Sequence, residues 1–243
     1  MYLCIDHGNS RTKTGVFNEA GQLVSLDAFV DDVANRLKKI LNDHQIQHAI
    51  LSITGKSEWN VSEVHLPITW IELSHQIPLP IQIIYTTPET LGRDRIASAC
   101  GANALYPGQN LLVVDAGTCV TMDMVLGTGV FLGGNIAPGI RMRLEAMHEK
   151  TARLPLVEPA FPVLAFGDST LHAMQNGACL GVIMEIEGIL NRAREAYGSI
   201  SVVITGGDSA LLATQIESQI FVEPELVIHG LFQILSLNVH KAN

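Results

Sequence analysis

Short apolar runs bounded by Gly, Pro and Asn alternate with segments of helical spacing along the whole chain. Residues 3–6, 12–17 and 23–29 read as strands, the last two joined by the turn signal Asn18-Glu19-Ala20-Gly21. Val33, Leu37, Ile40 and Leu41 then recur on one helical face, with Asp31 or Asp32 placed to cap its start. Residues 49–53 and 81–85 read as further strands. A helix over 94–105, rich in Ala, Cys and Gly, suits close burial, and Pro107-Gly108 marks a boundary.

Beyond that boundary the order recurs. Strands are predicted over 111–115, 120–125 and 130–134, with Gly127-Thr128-Gly129 as the hairpin turn. A helix after Pro138-Gly139 carries Ile140, Leu144 and Met147 on one face, and a longer helical region spans 169–197. A strand over 201–204, a short helix, a strand near 220–222 and a last helix over 224–240 follow. Three strands, helix, strand, helix, strand, helix therefore occurs twice. Duplication of a mixed α/β unit explains this, with domains expected at 1–108 and 109–243. Chance likeness of two α/β halves is the alternative.

Composition narrows the class. With 243 residues, 47% hydrophobic and 16% charged, the chain can bury a sizeable core. A net charge of −9 argues against broad nucleic-acid binding. No apolar run is long enough to span a bilayer and no basic stretch leads into an apolar one at the N-terminus, so a cytoplasmic protein is expected. Cys4, Cys100, Cys119 and Cys179 form no C-x-x-C pair and read as buried, reduced thiols.

The chemistry concentrates in a few turns. Asp6-His7-Gly8-Asn9-Ser10 ends the first strand, and Asp115-Ala116-Gly117-Thr118 ends the strand that opens the second half. A Gly turn with backbone N–H groups and short polar side chains suits phosphate oxygens, and Lys13 could neutralise a terminal phosphate. Asp6 repels phosphate and would act through a cation or water. A plain hairpin turn uses the same residue types, and the second copy is what favours the nucleotide reading. Thr205-Gly206-Gly207-Asp208 and Gly133-Gly134-Asn135-Ile136-Ala137-Pro138-Gly139 are further Gly-rich strand-to-helix turns, but no P-loop and no G-x-G-x-x-G is present. Gly92-Arg93-Asp94-Arg95 is the densest charge cluster at a loop-to-helix junction. There Asp94 could take a hydroxyl proton and Arg95 hold an anion, or the group could be an N-cap with solvated arginines. The nine histidines show no metal-ligand spacing.

Asp6 to Lys13, Gly92 to Arg95, Asp115 to Thr118, Gly133 to Gly139 and Thr205-Gly206-Gly207 occur in the order seen in type III pantothenate kinases, and the chain resembles that family over nearly its whole length. The paired Asp-Xaa-Gly turns alone point only to the broader acetate kinase, sugar kinase, heat-shock-70 and actin superfamily. The resemblance implies two similar RNase H-like (actin-like ATPase) domains with mixed five-stranded sheets, and ATP-dependent phosphorylation of pantothenate to 4'-phosphopantothenate, the first step of coenzyme A biosynthesis. It further implies a homodimer, magnesium with ATP, and a potassium or ammonium ion.

Residue by residue, it implies that Asp6, His7, Gly8, Asn9, Ser10, Arg11, Thr12 and Lys13 form the ATP phosphate loop, with Thr118 a further ATP contact. Asp94 is the implied general base; Tyr85, Gly92, Arg93, Asp94, Arg95 and Thr170 are implied pantothenate contacts, and Asp115 the monovalent-cation ligand. Ser10 stands for the commoner Thr and Cys119 for the commoner Ala, changes that keep hydroxyl and size. The rival readings are another small-molecule kinase of the superfamily, an actin-like assembly protein and a non-catalytic transcription-accessory protein.

Overall fold

The computed structural model describes residues 1–54, 68–161, 164–216 and 218–241. By compactness the chain forms two units. One comprises 1–108, 126–132 and 225–243; the other comprises 109–125 and 133–224.

The first unit is built on strands β1 (Tyr2–His7), β2 (Thr12–Phe17), β3 (Leu23–Phe29), β4 (His48–Ile53) and β5 (Thr69–Glu72). Their order is β3-β2-β1-β4-β5. β1 is antiparallel to β2 and β2 to β3, whereas β1–β4 and β4–β5 are parallel. Alternation along β1 sends Leu3 and Ile5 into a cluster with Val16, Phe29, Leu51 and Leu37 of helix α1 (Val33–Asp43). Asp32 occupies the N-cap position of α1, but in the left-handed region (φ 54°), and its carboxylate accepts from the Asn35 side chain rather than from a helix amide.

Helices α2 (Arg93–Leu105) and α7 (Leu226–Lys241) complete this unit. Residues 95–102 of α2 are all buried, as are Leu226, Ile228, Leu231, Ile234 and Leu235 of α7. The two backbones touch. A Cβ on Gly230 would lie 1.8 Å from the Ala97 carbonyl oxygen, and one on Gly101 would lie 2.5 Å from the Leu226 carbonyl oxygen. Phe232 of α7 stacks on Phe17 of β2, centroids 4.4 Å apart. The last helix, which sequence order assigns to the second half, thus belongs to the first unit because its apolar face is buried there.

The second unit repeats the plan. Its strands are β7 (Leu111–Ala116), β8 (Cys119–Val125), the later residues of β9 (Val130–Pro138), β10 (Ser201–Thr205) and β11 (Ile220–Val222), in the order β9-β8-β7-β10-β11. β7–β8 is antiparallel; β7–β10 and β10–β11 are parallel, as in the first sheet. The recurrence of order and direction is that of two RNase H-like domains of the actin-like ATPase fold. The strand expected at 81–85 shrinks to β6 (Gln82–Ile83), which pairs with Val130 and Phe131 of β9, so this sheet counts six strands rather than five. The fifth strand of the first sheet is β5, which escapes the sequence reading because only four residues form it.

Helices α3 (Ile140–Lys150), α4 (Thr170–Gln175), α5 (Gly181–Tyr197) and α6 (Ser209–Ala213) lie in this second unit. The helical region expected over 169–197 is interrupted by one π-helical turn, Asn176–Leu180, between α4 and α5. Among the described residues no helix is long and apolar enough to cross a membrane.

Candidate active site

In the first unit the Asp6–Lys13 segment is a β1–β2 hairpin whose register sets Asp6 opposite Lys13 and His7 opposite Thr12. The Gly8 N–H donates to the Arg11 carbonyl at 3.1 Å and closes the turn, so this amide serves the loop itself. The His7 ring Nδ1 and the buried Thr12 hydroxyl are 2.7 Å apart across the hairpin. Burial holds the His7 imidazole below its ordinary range. Asn9, Ser10 and Arg11 are exposed at the tip. Lys13 is drawn to Glu225, with Nζ donating to Oε2 at 3.5 Å.

Asp6 is a strongly perturbed carboxyl of this unit. Its Oδ1 is buried with no hydrogen-bond partner among the described residues. Burial pushes the carboxyl up to about 6, and the negative charge of Asp94 adds to the rise; Ser52, Lys13 and Arg11 oppose it. Ser52 is the register partner of Asp6 across β1 and β4. Its hydroxyl lies near enough to stabilise the carboxylate yet falls short of hydrogen-bond geometry. Asp6 and Asp94 thus lie near enough within this unit for one carboxylate's charge to be felt at the other.

Asp94 sits in the first turn of α2, behind Gly92 at the N-cap position. Its Oδ1 accepts from the Arg95 amide at 2.9 Å. A Cβ on Gly92 would come within 2.6 Å of that same oxygen, so the glycine leaves the carboxylate its place. Arg95 is buried, with its guanidinium carbon 5.8 Å from the centre of the Tyr85 ring and 5.9 Å from that of Phe131. The two rings are themselves 6.3 Å apart and tilted, so together they form one aromatic corner against which the cation is held by both packing and charge. Arg93 pairs with Glu72 of β5.

The second unit carries the other turn. Asp115, next to last in β7, lies opposite Thr205 of β10. The Gly117 N–H donates to the Cys119 carbonyl at 3.0 Å, and Thr118 is exposed. Gly206 takes φ 95°, and a Cβ there would fall 2.4 Å from the Ala116 oxygen and 2.5 Å from Asp115 Oδ1. The Thr205-Gly206-Gly207-Asp208 turn thus lies directly on the Asp115 turn, which only a glycine at 206 permits. The Asp208 N–H donates to the Ala116 carbonyl at 2.9 Å. Burial raises the Asp208 carboxyl, against the pull of Arg141. Thr170 opens α4 and is exposed, behind Ser169, whose hydroxyl accepts from the His172 amide.

The first unit therefore brings together Asp6, Lys13 and Asp94, and separately seats Arg95 against Tyr85. Asp115 and Thr118 share a turn of the second unit, and Thr170 stands on a different element of that unit. Sequence reasoning passed over Ser52, Glu72, Phe131 and Glu225. Only Ser52 had a legible signal, since parallel pairing of the predicted strands at 3–6 and 49–53 brings 52 beside 6.

A profile of the type III pantothenate kinases matches residues 2–192. A type III pantothenate kinase from Phocaeicola vulgatus is 38% identical over 240 residues, covering 98% of this chain and 99% of the relative. One from Bacteroides fragilis is 35% identical over 240 residues, covering 98% of each. Among solved structures, a conserved Campylobacter jejuni protein assigned to the Baf family of transcriptional activators superposes with TM-score 0.64 at 22% identity, over 98% of this chain and 99% of that one. Component A of the Acidaminococcus fermentans (R)-2-hydroxyglutaryl-CoA dehydratase does so with TM-score 0.58 at 14% identity, over 99% and 98%. At such identities these two likenesses bear on the fold alone.

Proposed function

The chain belongs to the type III pantothenate kinase family, and from that premise we propose how its residues carry out ATP-dependent phosphorylation of pantothenate to 4'-phosphopantothenate, the first step toward coenzyme A. Phosphoryl transfer needs in-line positioning and charge neutralisation more than covalent help. The hairpin from Asp6 to Lys13, including His7, Gly8, Asn9, Ser10, Arg11 and Thr12, receives the ATP phosphates, and Thr118 is a further nucleotide contact. Asp94 accepts the proton of the pantothenate primary hydroxyl as that oxygen attacks the terminal phosphorus and ADP departs. Arg95, stacked on Tyr85, holds the pantothenate carboxylate, with Gly92, Arg93 and Thr170 shaping the acceptor's surroundings.

The observation that carries this reading is that Asp94, held by the Arg95 amide in the first turn of α2, stands near enough to the hairpin for its negative charge to raise the Asp6 carboxyl. A base on the acceptor must stand close to the group that receives the phosphates. The unpartnered, buried Oδ1 of Asp6 fits the magnesium that accompanies ATP, held directly or through water. Asp115, hemmed by the backbone of Gly206 and Ala116, is a hard oxygen donor that fits a potassium or ammonium ion. Bound there, these ions neutralise phosphate charge. The protein acts in the cytoplasm as a homodimer.

A coupled ADP-release assay with pantothenate, with and without potassium, tests the reading. Pantothenate-dependent turnover that rises with potassium is the expected result, and no product in either condition overturns it. A panel of sugars, acetate and other hydroxyl acceptors separates it from the second reading, another small-molecule kinase of the superfamily.

A further inference from the structure

The second unit contains a clamp that neither the activity nor the family's motif residues account for. Arg143, on α3, directs three donors inward: Nε to the Pro138 carbonyl at 2.8 Å, Nη1 to Glu185 Oε1 at 2.8 Å and Nη2 to Glu185 Oε2 at 2.6 Å. The Arg143 side chain is only 16% exposed. A two-pronged, partly buried arginine–carboxylate pair is among the stronger and more directional polar contacts. Its Glu185 lies on α5, just past the π-helical turn, and Nη1 would be 3.6 Å from a Cβ on Gly181.

What the clamp holds is the informative part. The Pro138 carbonyl belongs to the turn from β9 into α3. The next residue, Gly139, donates its N–H to the Thr118 carbonyl at 3.1 Å. A Cβ on Gly139 would fall 2.4 Å from the Gly117 oxygen and 2.6 Å from the Thr118 oxygen. Pro138-Gly139 therefore lies flat against Gly117-Thr118, backbone on backbone. The Arg143 amide in turn donates to the Gly139 carbonyl at 3.0 Å, so residue 143 grips this turn through both main chain and side chain.

We propose that Arg143, oriented by Glu185, is a positioning residue for the nucleotide: it fixes Pro138-Gly139, which fixes the Asp115–Thr118 turn at the distance ATP requires. The inference rests on the reading of Thr118 as an ATP contact. Arg143 touches no substrate. It acts on the ground-state fit of the nucleotide, so its removal weakens ATP and leaves pantothenate alone.

Arg143→Lys keeps the charge but cannot bridge Pro138 and Glu185 together, and Glu185→Gln weakens the fork while keeping its shape. Calorimetric titration with Mg-ATP, steady-state KM values for both substrates and thermal melts are measured on each variant and on Thr118→Ala. Both variants are expected to weaken ATP binding and raise the ATP KM about tenfold, with the pantothenate KM unchanged. Lowered melting temperature with unchanged ATP affinity, while Thr118→Ala weakens ATP, overturns the positioning role and leaves a structural pair. Unchanged ATP affinity in all three variants overturns the nucleotide reading of the turn itself.

Discussion

Lys13 and Glu225, 212 positions apart in the chain, meet with Nζ 3.5 Å from Oε2. One lies on the β1–β2 hairpin proposed to receive phosphate and the other just before α7. A lysine that serves a phosphate cannot serve a carboxylate equally, so the two compete for one ammonium. Both side chains are partly solvated, which limits the pair to about 0.2–1 kcal/mol. Glu225→Gln is accordingly expected to lower the ATP KM by about two- to fivefold. Lys13→Met should raise it well beyond that. A higher ATP KM in Glu225→Gln means that Glu225 aims Lys13 rather than competing for it.

Asp6 predicts a pH dependence with a definite sign. Its carboxyl is raised from 3.8 to about 6, first by burial and then by Asp94. Between those values the folded protein keeps a proton that the unfolded chain has released, so this residue makes stability fall as pH rises through the window. Asp6→Asn should flatten that fall in urea unfolding measured from pH 4 to pH 7. An unchanged slope contradicts the buried-acid account.

Removing the second charge should relax the first. Asp94→Asn is expected to move the Asp6 titration toward the ordinary carboxylate range, read by carboxyl carbon NMR. The same variant should lose most turnover, about 100-fold or more, while calorimetry still detects ATP. Normal turnover removes Asp94 as the base.

Arg95 offers a test of acceptor binding. Its guanidinium packs against both Tyr85 and Phe131, a planar contact that a lysine cannot reproduce. Arg95→Lys should raise the pantothenate KM about tenfold with little change in ATP KM, because the charge survives but its orientation does not. Equal losses for both substrates place Arg95 in a general structural role.

Gly230 links packing to chemistry. Any side chain there meets the Ala97 carbonyl at 1.8 Å, and a backbone group cannot swing aside as a flexible side chain could. Gly230→Ala should cost about 1–3 kcal/mol or more in chemical unfolding. It should also lower kcat, since Ala97 lies one turn of α2 beyond Asp94. A stability equal to that of the parent protein removes the close helix crossing.

Much of this was legible beforehand. The β1–β2 hairpin follows from two apolar runs on either side of the turn residues around Gly8, and the duplicated order follows from strand spacing. The turns at 115–118 and 205–208 stand out because they stack glycine and small polar residues at strand ends. The remainder depends on distance in space. The period of 3.6 makes α7 a helix, yet nothing in it says that Gly230 meets Ala97. Glu225 carries no local signal because a lone carboxylate before a helix reads as ordinary capping. β5 has too few residues for periodicity, and the break between α4 and α5 depends on a single π-helical turn. Arg143 sits in a helix that reads as amphipathic, so its inward clamp appears only once Pro138 and Glu185 are placed.

The first unit is closed by α7, and that bears on how the protein is made. Synthesis delivers β1 to α2 early, but the apolar faces they offer to Leu226, Ile228 and Leu231 stay uncovered while the whole second unit is being translated. The nascent chain thus carries an unfinished core for more than a hundred residues of elongation, a span in which it is open to chaperones and to aggregation. α2 is fully packed only once α7 has been made, so the first unit is completed after the second unit's residues rather than domain by domain.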